Sequence, residues 1–265
     1  MNPEEFSSLL AAHRSVRSFE PRNVDQHLLD QVLEEALQGS SSSGNLNMVS
    51  VIKTLDIQRK EHLYQLHGQQ PMVLEAPCVM TFCADSFRTR QWLAQRGARP
   101  GFADLVSWHV ASFDAMIIAQ TAALGFESHG LGICYMGTTL FAMREIADYL
   151  ELPENCLPVT SLVVGWPAER PPQRDRLPPA SWIHSERYHR PSADDIETHF
   201  AGRDKRGKER YMAFGEDMKK LWEEHSIETL AQYYTSKIKY DPDLFAEFSV
   251  NIEELLRERG FLAAS

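Results

Sequence analysis

Residues 13–19 read His-Arg-Ser-Val-Arg-Ser-Phe, placing two guanidiniums, an imidazole and two hydroxyls close together. Those groups are the donors a phosphate or another oxyanion needs, and arginine adds a planar fork that matches phosphate oxygens. The setting makes the cluster notable, because 27 lysines and arginines against 37 acids give the chain a formal charge of −10. Such a field repels anions, so an anionic ligand would need a local pocket. Alone, the cluster reads either as a solvated basic linker or as one wall of that pocket. Three other polar stretches carry the same ambiguity. Ser40 to Asn45 is a loop of small donors, Arg174-Asp175-Arg176 stands in a proline-rich stretch, and Arg203, Lys205, Arg206, Lys208 and Arg210 form a basic run.

Several chemistries find no support. No histidines and cysteines cluster at zinc-ligand spacing, and no metal is expected. There is no G-x-S-x-G elbow, no G-x-x-x-x-G-K-[ST] phosphate loop and no G-x-G-x-x-G opening a helix. Gly130-Leu131-Gly132 alone reads as a tight turn. The acidic balance argues against a nucleic-acid partner. Cys78, Cys83, Cys134 and Cys156 form no C-x-x-C pair and read as free thiols of a reducing compartment. The N-terminus carries no basic-then-apolar leader pattern, and the apolar stretch 105–126 contains Ser107, His109, Asp114 and Gln120, too polar for a membrane span. A cytoplasmic protein without a membrane partner is expected.

The elements that would position these groups follow from pattern. Asn2-Pro3-Glu4-Glu5 starts a helix with an apolar stripe of Phe6, Leu9 and Leu10, and it runs into the His13 cluster. A second helix from Asp25 presents Leu28, Leu29, Val32, Leu33, Ala36 and Leu37. Strands are expected over 49–55, 78–83 and 158–166, with a short buried strand between two turns within 130–137, and helices over 61–66, 102–126 and 141–150. The helix over 102–126 is apolar on most sides and reads as central and buried. Strands and helices mix without strict βαβ alternation, which favours an α+β fold. The organisation expected is a core over 1–170, an extended proline-rich segment over 171–191, and a helical C-terminal extension over 192–265 packed on the core or a partner.

Taken together and in order, these segments resemble the FMN-dependent nitroreductase family, in its NADPH-linked nitroreductase and flavin-reductase branch with a C-terminal extension. HRSVRSF resembles the family's opening flavin motif, and SSSSGNLN its A-P-S-S-x-N-L-Q loop, with Asn47 where glutamine is commoner. Gly68-Gln69-Gln70 with EAPCVMTFCADSFR, SHGLGICYMG, and VVGWPAERPPQRDRLP are similar to three later motifs of that branch. Thr138, Thr139 and Leu140 depart from relatives that continue with glycine and arginine.

The resemblance implies a three-layer α-β-α fold with a central, mostly antiparallel sheet, assembled as a homodimer with FMN at the subunit interface. It implies hydride transfer from NADPH or NADH to nitroaromatic, quinone or flavin acceptors by a ping-pong route, with NADPH preferred. By the same resemblance, His13 and Ser15 contact the FMN phosphate, with Arg174 and Arg176 joining them, while Arg14 is a cofactor-binding candidate without an assigned contact. Arg17 serves the N1/O2 side of the ring as an electrostatic stabiliser, and no other catalytic side chain is required. Gln70 bonds the ring edge or ribityl chain, Ser41, Ser42, Ser43 and Asn45 line the flavin from the partner, and Tyr135, Met136, Gly137 and Thr138 run along the ring. Arg203, Lys205 and Arg206 are candidates for the NADPH 2′-phosphate. Two alternatives stay open: a specialised flavoenzyme reducing or dehalogenating one metabolite, and a flavin-binding module without turnover.

Overall fold

The computed structural model describes residues 2–263, and of Ser42 and Ser43 the backbone alone. The chain forms α1 Pro3–Ala12, α2 Gln26–Ala36, α3 Ser42–Asn45, β1 Val49–Thr54, α4 Ile57–Leu66, α5 Met72–Glu75, β2 Cys78–Asp85, α6 Phe87–Gln95 and α7 Leu105–Ser128. It continues through β3 Gly132–Met136, α8 Met143–Tyr149, β4 Cys156–Gly165, α9 Ala193–Met212, α10 Glu216–Glu224, α11 Leu230–Tyr234 and α12 Pro242–Glu258. It divides into two compact units, residues 1–173 with 251–265, and residues 174–250.

In the first unit four strands pair in the order β1-β2-β4-β3, each neighbour antiparallel. Alternation along the strands makes two apolar faces. On one, Met80, Phe82, Ile133, Leu162 and Val164 meet α2 and α7 through Leu29, Val32, Ile118 and Phe126. On the other, Val79, Cys134, Met136 and Val163 meet α4 and α5 through Leu63, Met72 and Val73. Leu255, Leu256 and Phe261, from the end of the chain, bury with Met143, Ala147 and Leu157 over the same face. The result is the three-layer α-β-α arrangement expected.

Local signals account for most boundaries. Asn2 accepts from Glu5 N while the Glu5 side chain accepts from Asn2 N, a capping box that opens α1. Asp104 caps α7 through Ser107 N (2.9 Å), so that helix starts later than 102; Phe102, with φ +59°, cannot be helical. The strand that begins at Cys156 rather than Pro158 keeps pairing through a bulge, where Cys83 faces Pro158 and the proline's missing N–H is accommodated. Helix α6 has no counterpart in the sequence reading. The apolar stripe of α1 is not core: Phe6 and Leu10 are exposed.

In the second unit α9, opened by a Ser192–Asp195 capping box, packs with α10 and α11 around Trp222, Ile227, Leu230 and Tyr233.

Candidate functional site

The His13–Phe19 segment is held by its apolar members. Val16 and Phe19 are buried, and each lies where a glycine leaves space: a Cβ on Gly132 would stand 2.8 Å from Val16 Cγ2, and one on Gly165 would stand 2.9 Å from Phe19 Cδ1. Val16 N donates to Ile133 O (2.9 Å), and Ser15 bridges to Ile133 in parallel sense. The segment thus lies along β3 with its polar side chains left over for other work.

Two carboxylates fix its remaining backbone. Glu169 Oε1 accepts from Arg17 N (2.6 Å) and Ser18 N (3.1 Å), and Glu75 Oε2 accepts from Phe19 N (3.2 Å). Glu75 is itself placed by Lys60, a buried lysine whose Nζ donates to Ala76 O (2.6 Å) and Leu74 O (3.1 Å). Burial lowers the Lys60 pKa. Among the described residues, the exposed Arg17 guanidinium has one hydrogen-bond acceptor, Ser15 O at 3.5 Å, leaving donors available.

A cleft of about 610 Å³ opens beside this segment, lined by His13, Arg14, Glu127, the Gly130–Gly132 turn, and Glu169 and Arg170. His13 Nδ1 lies 2.8 Å from Glu127 Oε1. Arg14 donates to Ala12 O (3.1 Å) and Pro171 O (3.3 Å), which points its guanidinium along the rim. Imidazole and guanidinium donors beside the backbone of a glycine turn make a set that fits a phosphate monoester.

Across β3, Tyr135 donates its hydroxyl to Gln120 Oε1 (3.1 Å), and burial with the nearby Glu127 charge pushes its phenol up to about 12. Met136 is buried among Val79 and Val163, so its side chain belongs to the core. Gly137 and Thr138 start a 3₁₀ turn, where Thr138 Oγ1 lies 2.9 Å from His67 Nδ1 and 3.5 Å from Gln70 Nε2. His67 is buried, and among the described residues its Nε2 has no hydrogen-bond partner; burial lowers its pKa to about 4.

The serine loop is tied down at its base. Asp114, buried on α7, accepts from Ser40 Oγ (2.6 Å) and Met48 N (3.1 Å), one on each side of the loop. Asn45 and Asn47 take positive φ between them, and Asn47 Nδ2 donates to Ser40 O (3.4 Å) and to Asn45 Oδ1 (3.3 Å). Ser41 is exposed; the side chains of Ser42 and Ser43 lie outside those described.

Arg174 and Arg176 belong to the second unit, where Arg176 donates to Arg174 O (2.9 Å). Asp175 accepts from Arg206 (3.0 Å); burial raises its pKa, but the Arg206 contact outweighs this and holds the carboxyl below its usual range. Lys208 donates to Glu228 O (2.8 Å), while Lys205 is exposed. The structure therefore lays the segment carrying His13, Arg14, Ser15 and Arg17 along β3, brings Gln70 next to Thr138, and commits Arg206 to an ion pair. Sequence reasoning did not single out Glu127, Glu169, His67 or Asp114. Glu169 stood inside a quoted motif, but the other three gave no signal, since a single acid or histidine in an apolar element has no pattern.

An antiparallel sheet between helical layers, with a donor-lined cleft at the end of one strand, places the chain in the class of three-layer α+β proteins. Residues 10–166 match the model described as the Nitroreductase family. The chain is 33% identical over 254 residues to the FMN reductase (NAD(P)H) of Bacillus subtilis, covering 95% of this chain and 96% of that one. It is 31% identical over 223 residues to the oxygen-insensitive NADPH nitroreductase of Salmonella typhimurium, covering 84% and 89% respectively. The solved structure of NfrA2 from B. megaterium superposes with a TM-score of 0.83 at 27% identity, covering 100% of both chains. The chain belongs to the nitroreductase family.

Proposed function

We infer that the protein is an FMN-dependent oxidoreductase that takes hydride from NAD(P)H and reduces small nitroaromatic, quinone or flavin acceptors. The observation that carries this reading is the His13–Phe19 segment. Its backbone is fixed by Glu169, Glu75 and Ile133, its histidine and Arg14 face a cleft, and its Arg17 guanidinium keeps its donors. The names of the relatives support the same chemistry.

Bound FMN would supply the two-electron, hydride-carrying chemistry, and its N1/O2 side is where a cation from the chain would serve. The chain's own part is binding and field. His13, Arg14 and Ser15 hold the phosphate, each charge-assisted contact contributing about 1.5–3 kcal/mol. Arg17, its backbone N–H held by Glu169, presents a cation where negative charge develops. Gln70 and Thr138 orient the ring edge. No side-chain nucleophile or base is needed, consistent with donor and acceptor using one face in turn by a ping-pong route.

Assembly as a homodimer completes the proposal. On α7, Val106, Phe113 and Ile117 recur at spacings that share one face and are exposed, 72% in the case of Val106. A second copy covering that face would bring its serine loop, with Ser41 and Asn45, to the flavin. For the donor, Arg203 and Lys205 are the groups proposed to favour NADPH over NADH, and Lys205→Glu should raise KM for NADPH while leaving that for NADH in place. The reading as a whole is tested by the absorbance spectrum of protein reconstituted with FMN, before and after anaerobic NADPH and then NADH. Bleaching by at least one donor, reversed by an added quinone, is expected; a bound flavin that neither donor bleaches would make this a binding module instead.

A further inference from the structure

Glu127 stands in the last turn of α7, where unpaired backbone carbonyls already concentrate negative charge and an acid is disfavoured. No basic residue shares that turn. The carboxyl nevertheless turns inward. Its Oε1 meets His13 Nδ1 at 2.8 Å, and its Oε2 is buried with no hydrogen-bond partner among the described residues. An acid in so poor a location needs a counterpart, and His13 is the group it meets.

The charges around the pair define what that counterpart does. The His13 segment contributes Arg14, β3 contributes Tyr135 with its hydroxyl on Gln120, and the stretch after β4 contributes Glu169 and Arg170. Helix α1 contributes only Leu9 and Ala12 to the cleft wall. Arg14 and Arg170 therefore share the wall with Glu127 and Glu169, and its formal charges cancel unless His13 carries a proton. A phosphate dianion entering beside a neutral imidazole would meet the ionised Glu127 behind it, whereas a protonated His13 turns the same wall attractive.

We infer that His13 and Glu127 form a proton-holding pair behind the phosphate pocket, so that seating a phosphate monoester draws one proton from solvent onto the pair. No covalent bond to carbon changes. The proton settles on the imidazole, Nδ1–H donates to Glu127, and Nε2–H is the donor left for the ligand. Burial pushes the Glu127 carboxyl up while His13 pulls it back. The inference rests on the FMN reading above and adds a proton to the binding equilibrium.

Calorimetry tests it. FMN is titrated into flavin-free protein in two buffers of different ionisation enthalpy, between pH 7.5 and 9, where the phosphate, with a second pKa of about 6, is already a dianion. The native chain should take up a proton somewhere in that range. Riboflavin, lacking the phosphate, should bind without uptake. Glu127→Gln should move the uptake window down by about 1 pH unit or more, since an adjacent carboxylate shifts a partner's pKa by roughly 1–3 units. His13→Gln should abolish uptake. Merely loosening the cleft would weaken binding without changing its proton count. FMN binding to the native chain with no uptake across the range, or a Glu127→Gln window identical to the native one, would overturn the inference while leaving the flavin reading intact. Failure of the native chain to bind FMN at all would instead remove both.

Discussion

Arg17 shows how a single cation is made useful. An exposed arginine on a free loop samples many rotamers and contributes little field at any one place. Here both its own N–H and that of Ser18 are held by one Glu169 oxygen, so its starting point is fixed. Arg17→Ala should therefore lower the bound flavin's reduction potential and slow the reductive half-reaction by about 10²-fold, the scale of losing one preorganised donor, with a smaller effect on FMN affinity. Potentiometry with stopped-flow reduction checks this, and an unchanged potential would remove Arg17 from the N1/O2 role. Glu169→Gln should show a weaker version of the same shift. His67 makes a separate residue-scale prediction. Burial depresses its folded-state pKa to about 4, below the unfolded value near 6.5, so the neutral ring's stabilising contribution is complete above pH 6.5 and is lost as pH falls towards 4. The loss is on the order of 3 kcal/mol for a group this buried. Thermal melts of the native chain should fall across that window more steeply than those of His67→Gln, and parallel curves would show that another group titrates there.

At the scale of elements, the working groups sit on loops whose roots are fixed by side chains from helices. Asp114 shows the device: from the middle of α7 it ties Ser40 and Met48, closing the serine loop at its base. Asp114→Ala removes an acceptor from the Ser40 hydroxyl and from the buried Met48 N–H, at about 1–3 kcal/mol. Lowered Tm and faster proteolysis within residues 41–47 should result; cleavage at the native rate would mean that Asn45 and Asn47 alone hold the loop. What was legible in the sequence follows the same division. Strands and long helices were read because burial imposes a period, and the Asn2 cap because capping demands particular residues at fixed offsets. The fixing residues were not, because Asp114, Glu127 and His67 act across gaps of 66 to 114 positions that no local pattern encodes. The motifs gave the cleft's near wall, HRSVRSF, while Glu127 behind it became visible only once α7 and the His13 segment lay side by side.

At the scale of the whole molecule, the question is what covers the long helix. α7 packs one side against the sheet through Ala115, Ile118, Ala119, Ala122 and Phe126, yet it keeps an apolar stripe outside. Along that stripe Val106 is 72% exposed and Phe113 59%, with Met116 and Ile117 beside them. A monomer that leaves such a stripe in water forgoes about 25 cal/mol for every Å² of apolar surface a partner would bury. The stripe's location also ties assembly to function, because Asp114, beside Phe113 in sequence, anchors the serine loop assigned to the partner's flavin. Phe113→Glu puts a charge at the middle of the proposed contact without touching the core. It should convert a dimer to a monomer in light-scattering chromatography. The monomer should keep its far-UV circular dichroism and lose at least about ten-fold in FMN affinity, the equivalent of one 1.4 kcal/mol contact supplied in trans. Retention of both dimer and affinity would place the subunit contact elsewhere. Dissociation with affinity unchanged would separate assembly from flavin binding and return the serine loop to its own subunit.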